Sequence, residues 1–165
     1  MNWEAIGAIG ELVGAVAVFV TLLYLAIQLR LNTRALRSST FQEISVSTAM
    51  NMQIIATTPG MSELILKAQA GLDALNEEER IRFGALIMSC FRRIEAVHIH
   101  QSMGTIEARY TEGFRRSSLS SLAHTGISEW WDTAQDAFTE DFVFWVNSQI
   151  EAGEIKAVHL GMGRK

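Results

Sequence analysis

The chain has few of the residues that carry most enzymatic and metal chemistry. Its 165 residues include one cysteine, Cys90, and four histidines. A lone cysteine excludes an intrachain disulfide, and no C-x-x-C string or Cys/His cluster of zinc spacing accompanies it. A P-loop, a G-x-G-x-x-G string and a G-x-S-x-G string are also missing. We therefore expect a protein of a reducing compartment that is not an enzyme and holds no cofactor or metal.

Charged residues are scarce as well, and neither the acidic nor the basic residues are concentrated in one region of the sequence. The 14 Lys and Arg residues stand against 18 Asp and Glu residues, for a net charge of -4, and the two signs are interspersed. A protein that binds a phosphate backbone needs a concentrated basic surface, so no nucleic-acid partner is expected. With 48% hydrophobic and 19% charged residues, the composition instead indicates a membrane segment.

That segment runs from Ile6 to Leu29. Its 24 residues include thirteen Ile, Leu, Val or Phe, and Glu11 is their only formal charge. As a helix it measures about 36 Å, against about 30 Å for the hydrocarbon core of a bilayer. Each large apolar side chain favours insertion by about 0.3 to 0.6 kcal/mol, and one central acid opposes it by about 3 kcal/mol. Residues 1–30 are therefore predicted to be a transmembrane anchor.

A cleaved signal peptide is the alternative for this segment. Such a peptide has a basic start and a shorter apolar stretch, whereas the opening MNWEA carries an acid and no base. The basic residues Arg30, Arg34 and Arg37 instead follow the span. By the positive-inside rule, the N-terminus is expected outside and the C-terminal domain in the cytoplasm.

One face of the anchor carries most of its small and polar residues. Steps of four and three from Gly7 give a heptad-spaced stripe through Glu11 and Gly14, and Gly10 forms a G-x-x-x-G pair beside it. Small residues let membrane helices approach closely, although the same residues also occur in lone spans. We predict a homo-oligomer. Its seam, called here the Gly/Glu seam, consists of Gly7, Gly10, Glu11, Gly14, Val18, Thr21 and Gln28.

Glu11 is also the candidate ion site. An acid inside a membrane usually faces a protein interior, a water-filled lumen or a partner charge. In an oligomer this residue would form a ring. Its members could bind or pass cations, or they could hydrogen-bond to one another, and the sequence leaves both interpretations open.

The remaining chain is expected to be all-α. No helix breaker precedes Thr58-Pro59-Gly60, so residues 31–58 are predicted to extend the first helix as a stalk. Residues 59–153 show no strand pattern and are predicted to form a small cytoplasmic bundle of about four to five helices, followed by a C-terminal tail at 154–165. Helix starts are predicted at Asn76, Thr105, Ser128 and Thr139.

Helical spacing also predicts which side chains face inward. The predicted faces are Phe41, Ile44, Thr48, Met52 and Ile55 on the stalk; Phe83, Ile87, Cys90, Ile94 and Val97 on the helix after Asn76; and Phe142, Trp145, Val146 and Ile150 on the last helix. Cys90 lies within the stripe of the helix after Asn76 and is expected to be a small buried hydrophobic residue. Arg92 and Arg93 are expected to point elsewhere, so Cys90 is not expected to be a nucleophile.

Two groups of residues have the composition of a metal or catalytic site. Glu95 and His98 have the Glu-x-x-His spacing of di-iron bundle proteins, but no second such motif is evident. We predict that they pair with Arg92 or with a neighbouring helix, and they are only weak metal candidates. A serine cluster precedes His124, but a helix lacks the turn and the orienting acid that a serine nucleophile needs. The cluster is Ser117, Ser118, Ser120 and Ser121.

Several short sequence strings, spread over nearly the whole chain, resemble those of a known protein family. They are Trp3-Glu4-Ala5-Ile6-Gly7 with Gly10-Glu11, Asn32-Thr33-Arg34-Ala35-Leu36-Arg37, Glu79-Arg80-Ile81-Arg82-Phe83, Trp130-Trp131, and Phe138 through Phe142-Val143. With these, the chain resembles an uncharacterised family of short bacterial single-span membrane proteins with an all-helical cytoplasmic domain. The resemblance implies that architecture and an inner-membrane location, and it brings no catalytic residue.

These features predict a homo-oligomeric single-pass protein of the bacterial inner membrane, with itself and the lipid bilayer as partners. The expected role is non-enzymatic assembly or scaffolding. The alternative is an oligomeric ion channel or cation-binding pore with a ring of Glu11.

Overall fold

The computed structural model describes residues 2–153 and 155, without the side chain of Ala5. Within this part the chain has no strand, which confirms the all-α class. Apart from Ile155, the predicted tail lies outside the described residues. The described α-helices are α1 (Trp3–Thr57), α2 (Met61–Ala68), α3 (Glu77–Ser102), α4 (Ala108–Leu119), α5 (Thr125–Ala134) and α6 (Glu140–Glu151), with 3-10 turns at Leu72–Ala74, Ser120–Ala123 and Gln135–Ala137.

The chain divides into two compact units, Met1–Thr40 and Phe41–Lys165, and α1 contributes to both. This helix runs unbroken for 55 residues because its sequence contains no proline. It ends just before Pro59, and Gly60 then takes a φ of 76°, a region that favours glycine. The predicted end of the first helix at Thr58-Pro59-Gly60 is confirmed.

The first unit is a helix whose side chains are exposed. Every described side chain from residue 2 to residue 39 is in the exposed class. The hydroxyl of Thr21 donates to the carbonyl of Ala17 at 2.8 Å, and the hydroxyl of Thr33 donates to the carbonyl of Leu29 at 2.9 Å. Both hydroxyl groups thus donate their hydrogen bond within the helix.

The second unit is built around an aromatic core. Phe91 is buried and stacks on Trp131, with ring centroids 5.0 Å apart and planes 24° apart. It also packs against Trp130 at 5.4 Å. Such aromatic pairs contribute beyond the apolar area that they bury. The indole nitrogen of Trp131 donates to Asn147 Oδ1 at 2.9 Å, so this deeply buried ring leaves no polar atom unsatisfied.

The start of α3 confirms the predicted cap at Asn76. Asn76 Oδ1 accepts from the backbone N–H of Glu79 at 2.9 Å, and Glu79 Oε2 accepts from the Asn76 N–H at 2.8 Å. This reciprocal capping box satisfies two backbone donors of the first turn. Lys67 at the end of α2 reaches the same Glu79 carboxylate at 2.7 Å.

Two of the predicted helix starts are wrong. The predicted start at Thr105 fails because its hydroxyl donates to the carbonyl of His100 at 2.9 Å, which caps the end of α3. Helix α4 begins three residues later, with Glu107 at the N-cap position. Helix α5 begins at Thr125, so Ser128 lies inside it. The predicted start at Thr139 is confirmed.

The predicted inward faces are partly wrong. On the second-unit part of α1, Phe41 and Met52 are 46% and 47% exposed, and Asn51, the polar neighbour of Met52, is buried. Cys90 is half-buried, and Ile150 is 41% exposed. The spacing was right for the stripe of α3 apart from its thiol, since Phe83, Ile87, Ile94 and Val97 are all buried.

Helix α5 lies close against the backbone of α2 at Gly126. A Cβ built on this glycine would overlap the carbonyl oxygen of Ala68. That oxygen belongs to the backbone of α2, so it cannot rotate away as a side chain would. Only a residue without a side chain fits this crossing.

We predict that Gly126→Ala destabilises the protein. The added methyl must push α5 away from α2, and overpacking of this kind costs about 1 to 3 kcal/mol or more. Urea unfolding of the full-length protein in mild detergent, followed by tryptophan fluorescence, measures the change.

Gly113→Ala is the matched control, because a Cβ on that exposed glycine of α4 meets no atom within 4 Å. It should stabilise by up to about 1 kcal/mol through helix propensity. Equal effects of the two substitutions would contradict the close crossing at Gly126.

Candidate functional site

The residues of the Gly/Glu seam all lie on the exposed helix of the first unit. A Cβ built on Gly7, Gly10 or Gly14 meets no atom within 4 Å, so this face is open in the single chain. The helix from Ile6 contains an 18-residue window of mean hydropathy 2.4, none of it buried. It is long and apolar enough to cross a membrane, a property that a signal sequence shares.

Glu95 holds the start of α6. Its carboxylate is 5% exposed and accepts from Arg92 Nη1 and from the backbone N–H of Thr139, both at 2.8 Å. The Thr139 side chain makes no capping bond to the first turn of α6, and the carboxylate from α3 holds the backbone N–H of this N-cap residue. A negative charge is favourable there because of the helix dipole.

Arg92 completes this contact between α3 and α6. Its Nη2 donates to the carbonyl of Ala137 at 2.7 Å, and its guanidinium carbon lies 4.6 Å from the centre of the Phe138 ring. Burial raises the pKa of the Glu95 carboxyl, but the bonds from Thr139 and Arg92 outweigh that effect and hold the pKa below its usual range.

His98, one turn further along α3, also contacts α6. Its Nε2 lies 2.7 Å from Asp141 Oδ2 on α6, and its ring stacks on Trp145 at 5.0 Å. Glu95 and His98 thus both contact the first turns of α6, as the pairing interpretation predicts. In the described residues no group of three or more His, Cys, Asp or Glu side chains has the geometry to hold a metal ion.

A buried polar contact joins the second-unit part of α1 to α3. Asn51 is 6% exposed; its Oδ1 accepts from Ser89 Oγ at 3.1 Å and its Nδ2 donates to Cys90 Sγ at 3.8 Å. One turn along α3, Arg93 Nη1 donates to the carbonyl of Ser47 at 3.3 Å. Sequence reasoning missed this contact, since Asn51 shares a face with Thr48 and Ile55 but ranks below Met52 in hydropathy.

Cys90 has the environment of an unreactive thiol. Burial raises its pKa, and the positive charge of the nearby Arg93 guanidinium opposes that effect only in part. The expectation that Arg93 points away from Cys90 is therefore wrong. A raised pKa leaves little of the nucleophilic thiolate near neutral pH.

The serine cluster makes bonds within its own segment. Ser120 Oγ donates to the carbonyl of Ser117 at 2.6 Å, and Ser121 Oγ donates to the carbonyl of Ser118 at 2.7 Å. His124 lies at the N-cap position of α5 in an extended conformation. The hydroxyl hydrogens of Ser120 and Ser121 are thus used on local carbonyls, as in a packing segment.

No protein-family model, curated protein or solved structure matches this chain. The resemblance to short bacterial single-span proteins therefore stays a prediction.

We predict that Glu95→Gln destabilises the protein at neutral pH by about 1 to 3 kcal/mol, the usual contribution of a charge-assisted bond to a buried partner. Because the pKa of Glu95 is lowered in the folded state, its contribution is complete above the unfolded value of about 4.3 and is lost as the pH falls through the folded value. The difference in the free energy of unfolding between variant and parent should therefore shrink as the pH falls. Urea unfolding at pH 7 and at stepwise lower pH measures it.

Glu151→Gln, at the exposed end of α6, is the control and should change stability by less than about 0.5 kcal/mol at every pH. A Glu95→Gln effect that does not depend on pH would show that the carboxylate charge is irrelevant to this contact.

We also predict that Cys90 reacts slowly with iodoacetamide. At pH 8 the folded protein should be alkylated several-fold more slowly than the chain in urea, because burial both shields the thiol and raises its pKa. The difference between the two alkylation rates should narrow as the pH rises through the pKa of Cys90 in the folded protein. Intact mass spectrometry gives both rates, and equal rates at pH 8 would refute the prediction.

Proposed function

We propose that this chain is a single-pass inner-membrane protein that assembles into a homo-oligomer along the Gly/Glu seam and acts as a non-enzymatic scaffold. The exposure of the apolar part of α1 carries this proposal. Its described side chains are exposed to residue 39, and its most apolar window has a mean hydropathy of 2.4. A bilayer covers such a helix, and the helix satisfies its own backbone bonds there.

The flanking charges support an orientation. Arg30, Arg34 and Arg37 follow the apolar segment, whereas MNWEA before it contains no basic side chain. Basic residues are retained in the cytoplasm during insertion. The proposed arrangement therefore has the N-terminus outside and the second unit in the cytoplasm.

The composition of the seam supports self-association. Helices in a bilayer gain little from apolar burial against each other, so they associate where small residues permit close contact. Gly7, Gly10 and Gly14 leave such an open face. Glu11 lies among them, and contact with neighbouring subunits would shield its carboxyl from the acyl chains.

The second unit supports a structural role. Its conspicuous acid and imidazole, Glu95 and His98, are engaged in contacts between α3 and α6. Its thiol is half-buried with a raised pKa. We therefore propose that the second unit presents a folded cytoplasmic surface at each subunit of the assembly.

We predict that Gly14→Leu weakens the oligomer. A leucine side chain there would separate the helices at the seam and raise the dissociation constant by about tenfold or more, equivalent to about 1.4 kcal/mol. Light scattering coupled to size exclusion in mild detergent, over a dilution series, measures the shift.

Ala26→Leu is the matched control. It adds a similar side chain to an exposed position of the same helix, about 120° away from Gly14 by helical geometry. Its oligomer should keep the parent size. An unchanged Gly14→Leu oligomer, or a monomeric parent protein, would refute the seam.

The variant Glu11→Gln distinguishes the scaffold function from the alternative function, a cation pathway through a ring of Glu11. The scaffold requires no cation flux from the parent protein in liposomes. Flux that the parent shows, and that Glu11→Gln loses while keeping its oligomer size, would favour the pore. Loss of the oligomer in Glu11→Gln without any parent flux would instead assign Glu11 to assembly.

A further inference from the structure

The second unit contains a cavity of about 170 Å³ between the end of α1, helices α2 and α3, and the serines at the end of α4 and in the turn that follows it. Most of its wall is apolar. For comparison, an apolar cavity of about 150 Å³ holds one benzene molecule and excludes water. The cavity therefore has room for a body of about six carbons. Its apolar wall includes Ile55, Ile65, Phe83, Ile87, Phe91 and Ile94.

Arg93 gives this apolar wall a positive charge. It lines the cavity and is only 9% exposed. Its Nη1 donates to the carbonyl of Ser47, and its guanidinium carbon lies 5.5 Å from the centre of the Phe114 ring. Its Nε is buried and has no hydrogen-bond partner among the residues that the structure describes.

No carboxylate in the described ranges forms an ion pair with this guanidinium. The contrast with its neighbour Arg92 is direct, since Arg92 is half exposed and yet pairs with Glu95 at 2.8 Å. A buried cation without an anion carries a large desolvation cost. An anion that entered the cavity would offset that cost.

We propose that the cavity binds a small organic carboxylate, with an apolar body of about six carbons among the Ile and Phe side chains and its carboxylate on Arg93. A guanidinium offers two parallel N–H donors, which match the two oxygens of a carboxylate. The single positive charge of the wall matches a single negative charge. The volume is too small to enclose a full lipid acyl chain. This binding site is independent of the oligomer proposed above.

Cys90 provides a specific measurement of occupancy. It lines the same cavity and is the only cysteine in the chain. Alkylation of the full-length protein by iodoacetamide, followed by intact mass spectrometry at fixed pH, therefore reports on this cavity alone. Saturating hexanoate should slow alkylation by about fivefold or more. 1-Hexanol, which has the same chain without the charge, should need about tenfold higher concentration for equal protection.

Arg93→Met tests the charge while keeping an apolar stem of similar length. The ratio of alkylation rates with and without ligand should then be the same for hexanoate and 1-hexanol. Arg82→Met is the control for net charge, since Arg82 is exposed on α3, 4.0 Å from Glu78, and away from the cavity wall. It should keep the parent preference for hexanoate.

Ser118→Leu tests the space. Its added side chain should fill the cavity and abolish protection by both compounds while leaving Arg93 in place. If Arg93→Met does not fold, as judged by circular dichroism, Arg93→Lys replaces it and should weaken the preference for hexanoate. Hexanoate that fails to slow alkylation of the parent protein, or that protects no better than 1-hexanol, would overturn the proposal.

Discussion

An apolar helix must be covered, and this requirement governs the first unit. Large apolar side chains such as Leu12, Phe19 and Leu23 are each more than half exposed along α1. Soluble monomers rarely expose a continuous apolar surface of this length, because each buried CH₂ gains about 0.8 kcal/mol. The hydrophobic core of the second unit draws on residues from Ile55 onward. The proposed partners of the exposed segment, lipid and copies of the same helix, would supply that cover.

The second unit uses reactive residue types as structural contacts. The side chain of Thr139 makes no capping bond at the start of α6, and a carboxylate from α3 accepts from the backbone N–H of this N-cap residue. Glu95 therefore contributes through the charge that it keeps, since its contacts with Arg92 and the Thr139 N–H both favour the ionised form. Both members of this Glu-x-x-His pair thus find hydrogen-bond partners at the start of the neighbouring helix.

Sequence periodicity was sufficient where packing follows hydropathy, and it failed where a residue's partner is distant in sequence. The end of α1 and the cap at Asn76 could be predicted because their signals are local. Thr105 could equally cap the helix after it or the helix before it, and only the fold decides between them. Glycine has a low helix propensity, yet the nearby carbonyl of Ala68 leaves no room for a side chain at Gly126 inside α5.

The contact between α1 and α3 shows the same limit and explains where the cavity lies. The side chain that α1 buries there is Asn51, whose polar atoms are satisfied by Ser89 and Cys90 on α3. Met52 remains 47% exposed while lining the cavity, so it fills little of the space beside this contact. Polar pairing specifies one register between two helices at some cost in apolar packing. The space left next to that contact is therefore bordered by the buried charge of Arg93, and a wall of this kind selects for an anion with an apolar body over water or a purely apolar molecule.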